Sequence, residues 1–249
     1  MDMIRGNELS RLHALARKMA MPMIDDVILP DSEACRWYRE HYGKGIFFPI
    51  VRDEQAFRMQ CREALPVSLS LQEEYALRGK KVVLYVGRLA PEKNLECLVR
   101  AAASLPEDTV LVIVGSGSLK EELQHLAGRM QVSAIFPGWL EGVRLAAWYN
   151  LADIFVLPSL VEPFGAVVND ALAAGCFCLV SGRCGSSCLI RQGWNGELFD
   201  PEDEERLASL LREACRNRGV RPSFPHLKEC LMPAGFREYV NHLMEHMGL

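Results

Sequence analysis

One stretch of the chain, from Ser159 to Gly175, combines a carboxylate, prolines and glycines in an order that suits ligand binding. An apolar run typical of a strand leads into it, and Pro163 fits the first turn of a helix. Gly175 is typical of the residue that follows a helix. The sequence therefore predicts a corner between a strand and a helix, with the carboxylate of Glu162 at its mouth.

The backbone of this corner is a candidate binding group in its own right. In a helix that starts at Pro163, the N–H groups of Phe164, Gly165 and Ala166 would be free and would face outward. Phosphate binds at helix N-termini, because the free N–H groups and the helix dipole both favour negative charge. Gly165 has no side chain, so a ligand could approach its backbone closely.

Two carboxylates of this stretch, Glu162 and Asp170, are eight residues apart. In a mostly helical segment this spacing separates them by about 12 Å along the axis, which is too far for a paired acid and base. The spacing suits contacts with the two ends of one extended ligand. The alternative is structural: Glu162 would be a carboxylate at the start of a helix, and Asp170 a solvated residue.

The composition narrows the class of protein. The chain has 249 residues, of which 49% are hydrophobic, and this is enough for one large domain or two small ones. Its net charge of −4 gives no reason to expect nucleic-acid binding. No apolar run reaches the roughly 20 residues that span a bilayer, and no apolar signal core lies near the N-terminus. We therefore expect a cytoplasmic protein, and no basic amphipathic helix indicates contact with a membrane.

The nine cysteines do not suggest a disulfide framework. Their number is odd and they lie in apolar segments, which suits reduced thiols. Cys176 and Cys178 flank Phe177 in a predicted strand, so their side chains should point to opposite faces of the sheet. Together with Cys184 and Cys188 they do not match the spacing of a zinc site, and we expect no bound metal.

A regular alternation of strands and helices begins at Lys80. Continuous apolar runs predict five strands of the kind found in parallel sheets that are buried on both faces, at Lys81–Val86, Val110–Val114, Ala134–Phe136, Asp153–Leu157 and Phe177–Val180. Helical patterns separate these strands. The sequence therefore predicts an α/β fold with a doubly wound parallel sheet.

The segments on either side of this sheet have less regular patterns. Residues 1–50 predict helix, strand, helix and strand, which would be a fragment of a second α/β domain. Helical patterns at Glu54–Ala64 and Leu71–Leu77 lead into the sheet, and an amphipathic helix is predicted at Ala234–Met247. We expect three parts of the chain: a first fragment and linker over 1–79, a ligand-binding domain over 80–216, and a tail with a crossing helix over 217–249.

Four loops should meet at the edge where the carboxyl ends of the strands lie, which is where such sheets bind ligands. They contain Gly87-Arg88, Gly115-Ser-Gly, Gly138-Trp139 and Glu162-Pro-Phe-Gly. Arg88 can grip phosphate oxygens with its planar fork and Lys93 can add a point charge, so the two could neutralise a diphosphate. The alternative is that both are ordinary surface cations. None of the six histidines is placed at this edge, and none is assigned a catalytic role.

The two middle loops carry weaker signals. Gly115 and Gly117 would allow a ligand to approach the backbone, although a tight turn explains the same pair. Trp139 after Gly138 could form an apolar wall for a base, or could be a partly buried residue of the sheet edge.

As an ordered set, these motifs resemble the C-terminal domain of retaining glycosyltransferases of the GT-B fold, group 1. The motifs that carry the resemblance lie between about Lys80 and Arg216, and they are Gly87-Arg88-Leu, Pro91-Glu-Lys93, Val-Gly-Ser-Gly, Phe136-Pro-Gly, Glu162-Pro-Phe-Gly, Ala171-Leu-Ala-Ala-Gly and Asn195-Gly. In that family this Rossmann-like domain binds a nucleotide-diphosphate sugar as the donor substrate. The resemblance implies no metal and no other cofactor.

The resemblance also implies roles for the matching residues. Arg88 and Lys93 would bind the diphosphate and offset the charge of the leaving group, and Glu162 would contact the donor sugar; these are the three expected catalytic residues. Asp170 would hold the ribose hydroxyls. The remaining donor-binding residues are those of the sugar and phosphate loop (Phe164, Gly165, Ala166 and Val167), of the base loop (Gly138, Trp139 and Leu140) and of the glycine turns (Gly87, Gly115 and Gly117).

The chain departs from the family pattern in two ways. The family usually has Glu where this chain has Asp170, and we expect an altered contact with the ribose. A GT-B enzyme also has an N-terminal α/β domain that binds the acceptor, whereas only about eighty residues precede the donor domain here, and they resemble the last part of that first domain.

These observations lead to two hypotheses from different classes. The first is a glycosyltransferase that transfers a hexose from a nucleotide-diphosphate sugar, as the donor-binding portion of a truncated or split enzyme. The alternative is a non-catalytic module that binds a nucleotide sugar or a partner protein. A third hypothesis, an epimerase of the same fold, fits the loop motifs less well. A partial first domain would expose apolar surface within residues 1–50, so we expect association with an N-terminal GT-B half or with a second copy.

Overall fold

The computed structural model describes residues 8–30, 32–217 and 227–247. The chain divides into two compact units, one formed by residues 1–50 and 237–249 and the other by residues 51–236. The sequence places boundaries after residues 79 and 216 instead. The predicted tail lies partly outside the described residues, which omit 218–226 and 248–249.

Within the described residues, the smaller unit contains a two-stranded parallel sheet and three α-helices. Its elements are α1 (Glu8–Ala20), β1 (Ile28–Leu29), α2 (Ser32–Tyr42), β2 (Ile46–Phe47) and, at the other end of the chain, α10 (Phe236–Met247), whose first residue belongs to the larger unit. Strands β1 and β2 pair with Ile28 opposite Ile46. The predicted order of helix, strand, helix and strand is confirmed.

Two helices open the larger unit, α3 (Glu54–Glu63) and α4 (Leu65–Glu74). Asp53 caps α3 by accepting hydrogen bonds from the N–H groups of Gln55 and Ala56, both at 3.0 Å. The prediction that the second helix begins at Leu71 is wrong, because Pro66 lies in the first turn of α4 and is tolerated there. Both helices pack on a helix of the sheet layer, α7 (Gly142–Leu151), which explains why they belong to this unit.

The larger unit is built around a six-stranded parallel sheet. Its strands are β3 (Lys81–Val86), β4 (Thr109–Val114), β5 (Ala134–Gly138), β6 (Ile154–Leu157), β7 (Phe177–Ser181) and β8 (Gly196–Phe199), and their spatial order is β5-β4-β3-β6-β7-β8. The connecting helices are α5 (Leu95–Ala102), α6 (Lys120–Arg129), α7, α8 (Val167–Ala173) and α9 (Glu204–Asn217). This is the doubly wound arrangement that the sequence predicts.

The strand order reverses between β3 and β6. Chain order runs outward from β3 to β5 on one side, and then returns to β6 on the other side of β3. The two strands pair through Val83 with Ile154 and Leu84 with Phe155. Their connections leave in opposite directions, so a crevice opens at the carboxyl ends of these two strands, which is where such sheets bind ligands.

The segment from Ser159 to Ala166 is not helical, so the prediction of a helix from Pro163 is wrong. Helix α8 begins at Val167 and has seven residues. The backbone before it bonds to the next segment: the carbonyl of Glu162 accepts from Gly185 N at 3.3 Å and that of Phe164 from Ser186 N at 2.7 Å. Gly165 takes a left-handed conformation, with φ of +87°, which interrupts any helix at this point.

The chain after α9 contributes bonds to the ends of the sheet-layer helices. Lys228 Nζ donates to the carbonyls of Tyr149 and Ala152 at the C-terminus of α7. Asn195 is fully buried, and its side-chain amide donates to the carbonyls of Leu189 and Leu231, each at 3.0 Å.

None of the helices in the described residues is long and apolar enough to cross a membrane.

Candidate functional site

The loops that follow β3 and β6 meet at the point where the strand order reverses. Lys93 ends the first loop and Glu162 lies in the second, and Lys93 Nζ is 2.6 Å from Glu162 Oε2. Their side chains are only 11% and 17% exposed. A backbone bond of 2.9 Å from Leu160 N to the carbonyl of Glu92 holds the two loops together beside this pair. Two residues that the sequence predicts for the site are therefore in direct contact.

Arg88 lies on the same β3 loop but has a different partner. Its side chain is 75% exposed and pairs with Glu92 at 2.8 Å. Its backbone is fixed by a hydrogen bond, since the hydroxyl of the buried Tyr85 donates to the carbonyl of Arg88 at 2.9 Å. Burial raises the pKa of Tyr85, with a smaller contribution from the charge of Glu162, so the hydroxyl keeps its proton. The backbone of Arg88 is thus fixed while its guanidinium faces solvent.

The predicted glycines allow neighbouring loops to approach one another. A Cβ at Gly115 would overlap the carbonyl oxygen of Gly87, and one at Gly117 would overlap that of Leu89. Gly115 N donates to the carbonyl of Gly138 at 2.8 Å, which joins the loops after β4 and β5. These contacts support the structural alternative for the Gly115 and Gly117 pair, since the space beside both is filled by backbone.

The loop after β5 presents an aromatic ring to solvent. Trp139 is 65% exposed, so most of its side chain faces solvent, which favours the apolar wall over the partly buried alternative. Leu140 is half-buried and borders a cavity of about 350 Å³, which is also lined by residues of α4 and α7, among them Leu71 and Arg144. The ring of Trp139 is therefore available to a planar ligand at the carboxyl edge of the sheet.

The loop after β6 offers backbone donors. Within the described part of the chain, the N–H groups of Phe164, Gly165 and Ala166 donate to no other backbone group. Phe164 is buried, and Gly165 sits against Leu157 and the hydroxyl of Ser186, so that a Cβ there would lie 3.1 Å from Ser186 Oγ. The expected N–H groups are thus present, but they belong to a folded loop and not to a helix N-terminus.

Asp170 has a partner that the sequence did not indicate. It is buried in α8, and its Oδ2 lies 2.5 Å from Arg52 NH1. Burial raises the pKa of Asp170 to about 6, although the charge of Arg52 opposes this shift. The alternative of a solvated Asp170 is therefore wrong, and so is the mostly helical spacing assumed between Glu162 and Asp170. No sequence pattern marks Arg52, which precedes α3 in a polar segment.

Cysteine, histidine and acidic side chains are the candidate metal ligands in the described part of the chain. None of the nine cysteines, which all lie in the described residues, forms a disulfide, and Cys176, Cys178 and Cys184 are buried. Within the described ranges, no group of three or more His, Cys, Asp or Glu side chains could hold a metal ion.

Comparison with known proteins gives a consistent family. A sequence model described as glycosyl transferases group 1 matches residues 70–226. An uncharacterized glycosyltransferase of Methanocaldococcus jannaschii is 34% identical over 166 residues, which are 62% of this chain and 43% of that protein. The GDP-mannose-dependent alpha-mannosyltransferase of Corynebacterium glutamicum is 40% identical over 137 residues, which are 55% of this chain and 32% of that protein.

Solved structures share the fold. The structure of Alr3699/HepE of Anabaena in complex with UDP matches with a TM-score of 0.67 and 19% identity, over 80% of this chain and 56% of that one. At this identity the likeness concerns the fold, which is that of GT-B glycosyltransferases. The matched region spans less than half the length of the two curated relatives.

Proposed function

The chain belongs to the glycosyl transferases group 1 family, and from this premise we propose that its larger unit binds a nucleotide-diphosphate sugar for hexosyl transfer. The observation that carries the proposal is the Lys93–Glu162 pair, which lies where the strand order reverses. A cation for phosphate and a carboxylate for sugar hydroxyls are there side by side. A nucleotide-diphosphate sugar needs both groups, because the bond that breaks in the transfer joins its diphosphate to its sugar.

The proposed chemistry assigns the charges of the site to the two halves of the donor. Lys93 and Arg88 would bind the diphosphate and stabilise the negative charge that it gains as it departs. Glu162 would accept hydrogen bonds from the sugar and favour an oxocarbenium-like centre. The free N–H groups of Phe164, Gly165 and Ala166 would bind sugar and phosphate oxygens, together with that of Val167.

The base and ribose contacts complete the proposed donor site. Gly138, Trp139 and Leu140 would contact the base, with the exposed ring of Trp139 as a stacking surface. Asp170 would accept from the ribose. Retention of configuration remains an expectation from the family resemblance, and the acceptor and the transfer reaction of the whole protein are likewise proposals.

Two relatives differ in the nucleotide that their names or complexes specify. The relative of Corynebacterium glutamicum is named for GDP-mannose, and the structure of the Anabaena protein holds UDP. We therefore infer a nucleoside diphosphate as the common ligand, and the base has to be found by experiment.

Calorimetric titration of the full chain with UDP, GDP and ADP tests the proposal. We expect one diphosphate to bind at micromolar affinity, and Arg88→Ala or Lys93→Ala to weaken it by about tenfold or more, since a charge-assisted hydrogen bond is lost. Arg100→Ala is the matched control, because Arg100 also pairs with a glutamate four residues away, Glu96, but on α5. Absence of binding to all three nucleotides, or equal losses in Arg88→Ala and Arg100→Ala, would contradict the proposal.

A further inference from the structure

Only one of the two carboxylate oxygens of Asp170 has a hydrogen-bond partner among the described residues. Its Oδ2 pairs with Arg52 at 2.5 Å, while Oδ1 is buried and, among the described residues, meets no hydrogen-bond donor. A buried carboxylate oxygen without a donor is costly, and native proteins rarely leave one in this state without a reason. The side chain therefore has an unused acceptor, one helical turn beyond the loop proposed to bind the donor.

Arg52 is held in place by more than this ion pair. Its guanidinium lies over the ring of Phe57, 5.9 Å from the ring centre, and Phe57 is itself buried against Tyr149. About half of the Arg52 side chain is exposed. Because Arg52 is fixed by an aromatic ring, it fixes in turn which oxygen of Asp170 is occupied and which stays free.

We propose that Arg52 is a positioning residue of the nucleotide site: it binds Oδ2 of Asp170 and leaves Oδ1, buried and without a donor, to accept a ribose hydroxyl of the nucleotide. This inference rests on the proposed function. It adds to it a residue outside the family motifs, and a reason why an aspartate serves here, since Arg52 holds the shorter side chain in one orientation.

The charge of Arg52 has a second effect, on the protonation of Asp170. Burial raises the pKa of Asp170 to about 6 and Arg52 lowers it, so removal of Arg52 should move this pKa further upward. At pH 7 the wild-type carboxyl is mainly ionised, whereas without Arg52 more of it is protonated. An ionised acceptor binds a hydroxyl about twice as strongly as a neutral one.

Asp170 is the group in this environment that titrates between pH 5 and 8. Arg52 is the charged group that contacts it, and Arg58 of α3 is a second cation nearby, which donates to the carbonyl of Ala173 in α8. The titratable groups on the neighbouring elements are Cys61 of α3, Cys178 of β7 and Tyr149 of α7, whose hydroxyl donates to the carbonyl of Val167. Burial raises the pKa of Cys61 to about 12, and it also raises the pKa values of Tyr149 and Cys178, so all three stay protonated.

The test compares UDP, GDP and ADP with their 2′,3′-dideoxy analogues by calorimetry at pH 6, 7 and 8.5, using the full chain. We expect wild type to prefer the ribonucleotide by about tenfold, as is typical of a hydrogen bond to a charged group. In Arg52→Leu this preference should fall at pH 7 and partly recover at pH 8.5. In Asp170→Asn, which keeps the size of the side chain, it should be small at every pH.

Arg62→Leu is the matched control, since it removes an exposed arginine of α3, and it should keep the wild-type preference. An unchanged preference in Arg52→Leu would overturn the inference, and so would a loss of equal size at all three pH values, which a merely structural role would give. Failure of the proposed function would give a different result, because the wild-type chain would then bind neither the ribonucleotides nor the dideoxy analogues.

Discussion

Lys93 and Glu162 form an ion pair in which each charge is stabilised by the other. Their side chains are mostly buried and 2.6 Å apart, so either charge alone would lie in a poorly solvated place. We predict that Lys93→Met and Glu162→Gln each lower the free energy of unfolding by about 3 kcal/mol, and that the double variant loses less than the sum. Urea denaturation of the four proteins measures this coupling.

The exposed pair of Arg183 and Glu202 is the control for that cycle. It has a short distance of 2.5 Å but exposed side chains, so its coupling energy should be below about 1 kcal/mol. Equal coupling energies for the two pairs would show that burial does not govern the Lys93–Glu162 interaction.

At the residue scale, the sequence predicts the groups of the site better than their partners. Arg88, Lys93 and Glu162 stand out because cations and a carboxylate follow predicted strands, and parallel strands end at one edge. The partner of Asp170 could not be predicted, since Arg52 is 118 residues away and no periodic pattern links the two positions. The pairing of Arg88 with Glu92 is local, yet nothing in the sequence chooses it over a contact with Glu162.

At the element scale, the apolar strands were predicted closely and the polar corners were not. The bounds of β3 agree with the sequence prediction to the residue, because an uninterrupted apolar run marks a strand buried on both faces. The predicted start of α8 is wrong. Pro163 fits the first turn of a helix locally, but the backbone carbonyls of Glu162 and Phe164 accept hydrogen bonds from Gly185 and Ser186. Such long-range backbone bonds override local preference, and the sequence gives no sign of them.

The loops after β3 and β4 form one packed unit, and Gly115 is its contact point. Its φ of +145° favours glycine, and any Cβ would overlap the carbonyl oxygen of Gly87. We predict that Gly115→Ala lowers the free energy of unfolding by about 2 kcal/mol or more and weakens nucleoside diphosphate binding, because the β3 loop that carries Arg88 must shift. Thermal denaturation and calorimetry test the two effects.

Gly128→Ala is the matched control for that substitution. Gly128 lies in α6 with open space where its Cβ would be, so alanine there should raise stability by about 0.5–1 kcal/mol. If Gly115→Ala is as stable as Gly128→Ala and binds the nucleotide normally, the close approach of the two loops does not matter for the site.

At the scale of the whole molecule, the sequence predicts the fold class but not how the chain divides. The doubly wound sheet follows from alternating strands and helices. The order of its strands, and the inclusion of α3 and α4 in the same unit, depend on tertiary contacts such as the 2.7 Å bond from Asn150 Nδ2 to the carbonyl of Cys61. Local patterns mark α3 and α4 as helices, but they do not indicate on which element each helix packs.

The smaller unit exposes large apolar side chains, and this leads to a prediction about assembly. Met19 and Met23 are 68% and 84% exposed, and the other large exposed hydrophobic residues within 13–50 are Leu15, Ile24, Ile28 and Ile50. Large exposed apolar patches mark interaction sites, and Leu15, Met19 and Met23 follow one another at intervals of four residues. We predict that the chain associates with a second copy at micromolar concentration.

Substitution of the two methionines should weaken this association. We expect Met19→Ser combined with Met23→Ser to raise the dissociation constant by about tenfold or more, because each buried methionine contributes roughly 1.5–3 kcal/mol. Met59→Ser is the control, since Met59 is equally apolar and exposed but lies on α3 of the larger unit. Sedimentation velocity over a concentration series distinguishes the outcomes. A wild-type chain that stays monomeric at tens of micromolar would contradict the prediction, and an equal effect of Met59→Ser would place the contact elsewhere.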